Sequence, residues 1–214
     1  QSSWLKQHAW ALNLIVASVA FYHFHKAGHH TGSRTAPFIL TSIPFAFIGG
    51  YLIIDGVFYD TLLSIALLLA AYRLIKMHTA PTVQMTSLEI PKKQAYSFGA
   101  GIGFFSGIIG VGGGIFLSPI MVLKQWATPK GAAATAAVFI VANSFSGLLG
   151  AAASGQLIID IEVLFIFSTS VLLGGMLGSK YGAQRANQDT VKSLLVIVLI
   201  FASTKRVIGV LSQL

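Results

Sequence analysis

Gly110-Val111-Gly112-Gly113-Gly114 is the part of this chain whose residue types could do chemistry. Glycine at four of five positions leaves the backbone N–H groups uncovered, and such a turn feeding a helix makes a positive concavity suited to an anion. Hydroxyls and amides stand near it in the sequence, at Ser106, Ser118, Thr135, Asn143, Ser144 and Ser146. Two nucleotide motifs fail on spacing. The dinucleotide fingerprint counted from Gly110 needs glycine where Ile115 stands, and a P-loop needs Lys then Ser or Thr where Ile115 and Phe116 follow. No Lys or Arg falls in the middle of an expected span. An anion here would therefore be held by helix dipoles, hydroxyls and amides.

The turn lies inside FGAGIGFFSGIIGVGGGIFLSPIMVL, residues 98–123, which is apolar enough for a bilayer. Each glycine costs about 0.8–1 kcal/mol against alanine in a helix interior, so a helix should break there. Broken backbone at membrane depth is tolerated only where it is buried in protein or lines a cavity. Composition sets the same environment. Charged residues make up 9% and hydrophobic residues 55% of the chain, with a mean hydropathy of +0.77, so an all-α polytopic membrane protein is expected. The absence of cysteine excludes disulfides, thiolate metal sites and cysteine nucleophiles. The spans carry neither a Ser–His–acid set nor HExxH, so no enzyme, metal or cofactor is expected. A net charge of +8 fits Lys and Arg gathered in cytoplasmic loops rather than a nucleic-acid partner.

Apolar runs long enough for a hydrocarbon core of about 30 Å occur near residues 9–24, 36–54 and 59–75. After a polar stretch broken by Pro81 and Pro91 come the glycine-rich stretch and runs near 131–153, 161–181 and 191–210. The two halves resemble each other. Asp60-Thr61-Leu62 and Asp189-Thr190-Val191 each open a final helix, with the aspartates read as N-caps. At nearly the same offset Gly49 falls on Gly178, and Asn13 falls near Asn143. The chain thus divides into a first transmembrane repeat (1–78), a polar cytoplasmic linker (79–93) and a second transmembrane repeat (94–214). Only a dozen residues precede Asn13, so the counterpart of the glycine stretch is expected upstream of Gln1.

Charge placement bears on topology. If residues 98–123 cross once, the basic residues divide almost evenly between the two faces. If they enter and return as two half-length helices hinged at Gly110–Gly114, one face collects Lys26, Arg34, Arg73, Lys76, Lys92, Lys93, Lys124, Lys130, Lys180, Arg185 and Lys192. Lys6, Lys205 and Arg206 remain on the other, with Asp55, Asp60, Asp160 and Glu162, as the positive-inside rule expects. The repeats are then inverted, an arrangement that places a transporter's site near the bilayer midplane.

Other conspicuous residues have plainer readings. Gly99, Gly103 and Gly107, and likewise Gly174, Gly178 and Gly182, stand four apart and read as helix packing. Trp4, Trp10 and Trp126 near span ends read as an interfacial belt. Pro44 reads as a kink, and Pro119 as a residue in or just past the first turn of the returning half-helix. His23, His25, His29 and His30 straddle a helix end and a Gly-rich loop with no carboxylate nearby, which reads as solvated loop histidines rather than a metal cluster. Asn143 is open to a second role as interhelical glue.

At GIIGVGGGIFLSPIMVL, followed by AAATAAVFIVANSFSGLLG and a GG-x-x-G helix, the chain resembles the sulfite exporter (TauE/SafE) family of integral membrane transporters. Gly110, Gly112, Gly113, Gly114 and Pro119 carry its G-x-G-G-G-x-x-x-x-P core, and the likeness runs through the second half and more faintly the first. The resemblance implies a multi-pass protein of the bacterial inner membrane that moves sulfite, organosulfonates or other small anions. It also implies a duplicated unit with a glycine motif in each copy, of which one copy is present here. Substrate contacts are implied at Gly110, Gly112, Gly113, Gly114, Thr135 and Asn143, to which the residue reading adds Ser106, Ser118 and Asn13. The expected function is a secondary carrier for a small anion, with an anion channel of the same fold and a non-transporting assembly subunit as alternatives. Expected partners are the anion and the lipid bilayer, with coupling protons or sodium and a homodimer left open.

Overall fold

The computed structural model describes residues 2–30, 32–52, 89–155 and 157–187, with isolated positions at 65, 72 and within 189–204. The expected span at 59–75, most of the linker and most of the last span, with Asp55 and Asp60, lie outside the described residues. The described architecture is all-helical: α1 Ser2–Lys26, α2 Gly32–Tyr51, α3 Lys92–Ile109, α4 Gly114–Leu123, α5 Pro129–Ala153 and α6 Ile161–Gln184.

Local chemistry sets the ends of these helices. Thr128 caps α5, its hydroxyl accepting from Gly131 N at 3.1 Å, and Pro129 takes the first helical position, where no N–H is needed. Asp160 caps α6, Oδ1 accepting from Glu162 N at 3.1 Å and Val163 N at 3.2 Å. Asp189 is not the cap of the next helical segment. Asn187 Oδ1 accepts from Thr190 N at 2.7 Å and from its hydroxyl at 2.6 Å, an amide two positions earlier doing the work expected of the carboxylate. Pro119 lies in the interior of α4, beyond the first turn.

Helix directions follow from paired contacts. Gly99, Gly103 and Gly107 of α3 meet the backbone of Phe38, Ser42 and Ala46 of α2 in the same order, so the two helices run parallel and nearly touch. Ser146 donates to Ile43 O at 2.6 Å and Gly150 lies on Phe47 O, which makes α5 parallel to α2 as well. Helix α1 runs against α5, with Trp10 at Gly147 and Phe24 packed with Ala134. It runs with α6, with Val16 at Gly175 and His23 at Ser179. Helix α4 leaves the turn beside Phe139 and Ile140 and descends to the start of α5, so it is antiparallel to α5 and hence to α3. The Phe98 ring near the start of α3 accordingly sits 5.9 Å from Trp126, just past α4.

Helices α5 and α6 are long and apolar enough to cross a membrane. At 1.5 Å per residue the ten residues of α4 cover about 15 Å, half a hydrocarbon core, whereas the 18 residues of α3 cover about 27 Å, so only the returning member of the expected pair is half-length. Helix α6 exposes Phe165, Ile166, Leu173 and Leu177. Such a face would be an aggregation surface in water and is ordinary against lipid. The packing glycines of α6 differ from expectation. A methyl at Gly174 or Gly178 meets nothing among the described residues, and at Gly182 it makes ordinary contact with Phe24, whereas Gly175 is pressed on Val16.

Candidate functional site

Helix α3 ends where Gly110 turns left-handed at φ 84°, its N–H bonded to Ser106 O at 2.8 Å. Gly112 and Gly113 follow at φ 74° and 77°, a region that costs an L-residue roughly 1–2 kcal/mol. Helix α4 then starts at Gly114, where Gly113 O accepts from Phe116 N at 3.1 Å and Leu117 N at 3.2 Å and the N–H groups of Gly114 and Ile115 precede these bonds.

Around this turn the fold gathers polar side chains from two other helices. A methyl at Gly112 would stand 3.1 Å from Ser144 Oγ and 3.2 Å from Asn13 Nδ2, and one at Gly113 would stand 3.2 Å from Asn143 Nδ2. Asn143 Nδ2 reaches Gly112 O at 3.5 Å, the outer limit of a hydrogen bond. Asn143, Ser144 and Ser106 are fully buried, yet Asn143 Oδ1 and both hydroxyls have no partner among the described residues. Leaving such groups unsatisfied costs about 1–3 kcal/mol each, and each keeps hydrogen-bonding capacity that a small polar guest could take up.

The other sequence-derived positions fall into place less uniformly. Gly110 packs on Lys6 and Gly114 on Ile140, so both glycines serve close approach. Ser118 is buried one turn into α4. Thr135 sits eight residues before Asn143, about 12 Å along α5, and shares a hydrogen bond with Thr35 at 3.3 Å. Its neighbour Ala136 reaches the turn, the carbonyl standing 3.1 Å from a methyl at Gly114. Ser146 is spent on the α2 backbone.

Lys6, packed on Gly110, and Trp10, packed on Gly147, carried no site signal in the sequence. Trp10 is not an interfacial belt residue, for it is wholly buried against Gly147 with its indole N–H unpartnered. Trp126 is likewise buried, against Phe38 and Phe98. Lys6 is 2% exposed rather than free on the outer face, its Nζ donating to Leu52 O at 3.3 Å.

The histidines are structural at several points rather than solvated. His23 Nδ1 pairs with Ser179 Oγ at 2.7 Å, and His29 Nε2 donates to Ala183 O at 3.0 Å, tying the end of α1 to α6. His30 in the α1–α2 connection is held below the ordinary imidazole range by burial and then by the charge of His25. At the opposite end Asp160 N donates to His8 Nε2 at 2.9 Å. His8 Nδ1, left with the proton, donates to Trp4 O at 2.7 Å.

Long apolar helices and a lipid-suited outer face make the described residues those of an all-helical membrane protein. The sequence pattern of the family described as Sulfite exporter TauE/SafE matches residues 8–206, and the chain belongs to that family. It is 30% identical over 205 residues to "Probable membrane transporter protein y4hK" of Sinorhizobium fredii (strain NBRC 101917 / NGR234), covering 94% of this chain and 81% of that one. It is 29% identical over 99 residues to "Probable membrane transporter protein YunE" of Bacillus subtilis (strain 168), covering 46% of this chain and 34% of that one. No solved structure matches it. Family and relatives are those of membrane transporters.

Proposed function

We propose that this protein is a secondary carrier that moves a small anion, such as sulfite or an organosulfonate, across the bacterial inner membrane through a site at Gly110–Gly114. The observation that carries the reading is the set of buried, unpartnered groups at Ser106, Asn143 and Ser144 around a turn of bare backbone. Hydroxyls, amide N–H groups and the N-terminus of α4 stabilise negative charge without a counter-cation. Asn143 Oδ1, an acceptor among donors, suits a proton carried on the anion. Placed in a bilayer, α3 and α4 form an entering and returning pair, and the inverted first repeat meets them near the midplane through Asn13 of α1. Rocking of one repeat against the other then exposes the site to each side in turn.

Purified protein in liposomes is expected to give saturable uptake of labelled sulfite, competed by other small oxyanions. Replacing both Gly112 and Gly113 with Leu should abolish it, and full flux in that variant would sink the site. A current that grows without saturation would make the protein a channel instead.

A further inference from the structure

Lys6, Trp10 and Asn13 stand at i, i+4 and i+7 on α1 and therefore share one face of the helix. Each meets a glycine. A methyl at Gly110 would stand 2.8 Å from Lys6 Cα, one at Gly147 would stand 3.2 Å from Trp10 Nε1, and one at Gly112 would stand 3.2 Å from Asn13 Nδ2. The face thus runs from the end of the bundle that holds Leu52 and Asp160 inward to the glycine turn.

Two of these groups have donor capacity left over. An ammonium carries three donors. Lys6 Nζ has Leu52 O at 3.3 Å and the Trp10 ring, whose centroid is 5.6 Å away, and among the described residues no carboxylate pairs with it. Trp10 Nε1 is buried with no acceptor among the described residues. A buried cation and a buried N–H donor one helical turn apart, both short of acceptors, call for an anion between or beside them.

We infer that Lys6 and Trp10 form an anion-docking station on the approach to the glycine turn, Lys6 supplying the fixed positive charge and Trp10 the orienting N–H, before the anion passes to Asn13 and Gly112. The inference rests on the anion reading of the turn and extends it to a second, outer station.

The test uses the full chain with Trp4→Phe and Trp126→Phe, so that Trp10 alone fluoresces, and compares quenching by iodide with quenching by neutral acrylamide. Iodide quenching should saturate and be competed by sulfite. Lys6→Gln should weaken its half-saturation at least about tenfold and Lys6→Arg restore most of it, as expected for a lost buried charge pairing, with acrylamide quenching unchanged in both. In liposomes Lys6→Gln should raise the half-saturation for sulfite uptake more than it lowers the maximal rate. Non-saturating iodide quenching in the parent protein overturns the station whatever the variants do, as does equal iodide affinity in Lys6→Gln. Saturable quenching without any anion flux upholds the station and removes the carrier. Normal flux with unchanged half-saturation in Lys6→Gln keeps the carrier and removes the station.

Discussion

A single methyl group separates the conformational role of the turn from its composition. Gly112→Ala places Cβ 2.8 Å from Ile140 Cγ2 and into the space between Ser144 and Asn13, and does so at φ 74°. Left-handed backbone alone costs roughly 1–2 kcal/mol for an L-residue, about tenfold in an equilibrium, before the crowding is counted. Anion uptake by Gly112→Ala should fall by at least that factor. Gly101→Ala is the control: it lies mid-helix in α3 with open space around it, and alanine there gains about 1 kcal/mol of helix propensity. Its uptake should equal that of the parent and its melting temperature should not fall. Equal loss in both variants would mean that the turn's conformation is not what matters.

At the scale of helices, glycine spacing means different things in different places. Gly103 and Gly107 let α3 lie with its backbone against Ser42 and Ala46, whereas Gly174 and Gly178 face open space among the described residues. Gly103→Leu should therefore cost the 1–3 kcal/mol of an overpacked core or more, read as a lowered melting temperature in detergent. Gly178→Leu should not lower it, since open space and a helix-propensity gain of up to about 1 kcal/mol act together there. The contrast also marks what the sequence can say. A run of glycines announces where a helix cannot continue, because propensity is a local property, and the end of α3 at Ile109 is legible from Gly110 onward. A four-residue spacing announces only that one face is small, and which face meets a neighbour is decided by elements far away in the chain. Trp10 and Lys6 illustrate the same limit. Near a span end they read as belt and surface, and they are buried because Gly147 and Gly110, more than a hundred residues later, leave room for them. The histidines read as loop residues for want of any sign that Ser179 and Ala183 would lie alongside.

At the scale of the whole molecule, helix directions and charge combine into one topology. Helices α2, α3 and α5 run parallel, and α4 returns, so the starts of α3 and α5 lie at the same end of the bundle, where Lys130 Nζ reaches Ala183 O at 3.2 Å near the end of α6. Lys26, Arg34, Lys92, Lys93, Lys124, Lys130, Lys180 and Arg185 belong to that end, and Asp160 and Glu162 to the other. The positive-inside rule predicts that the first end faces the cytoplasm. Because the chain lacks cysteine, single replacements can report this directly. Lys92→Cys and Lys130→Cys should both react with an impermeant maleimide in inside-out vesicles, and Leu157→Cys, in the exposed connection between α5 and α6, should react in right-side-out vesicles. Labelling of Lys92→Cys and Lys130→Cys from opposite faces would require α3 and α4 to cross the bilayer as a continuous passage. The returning half-helix would then be lost, and with it the reason for placing the anion site halfway through the membrane.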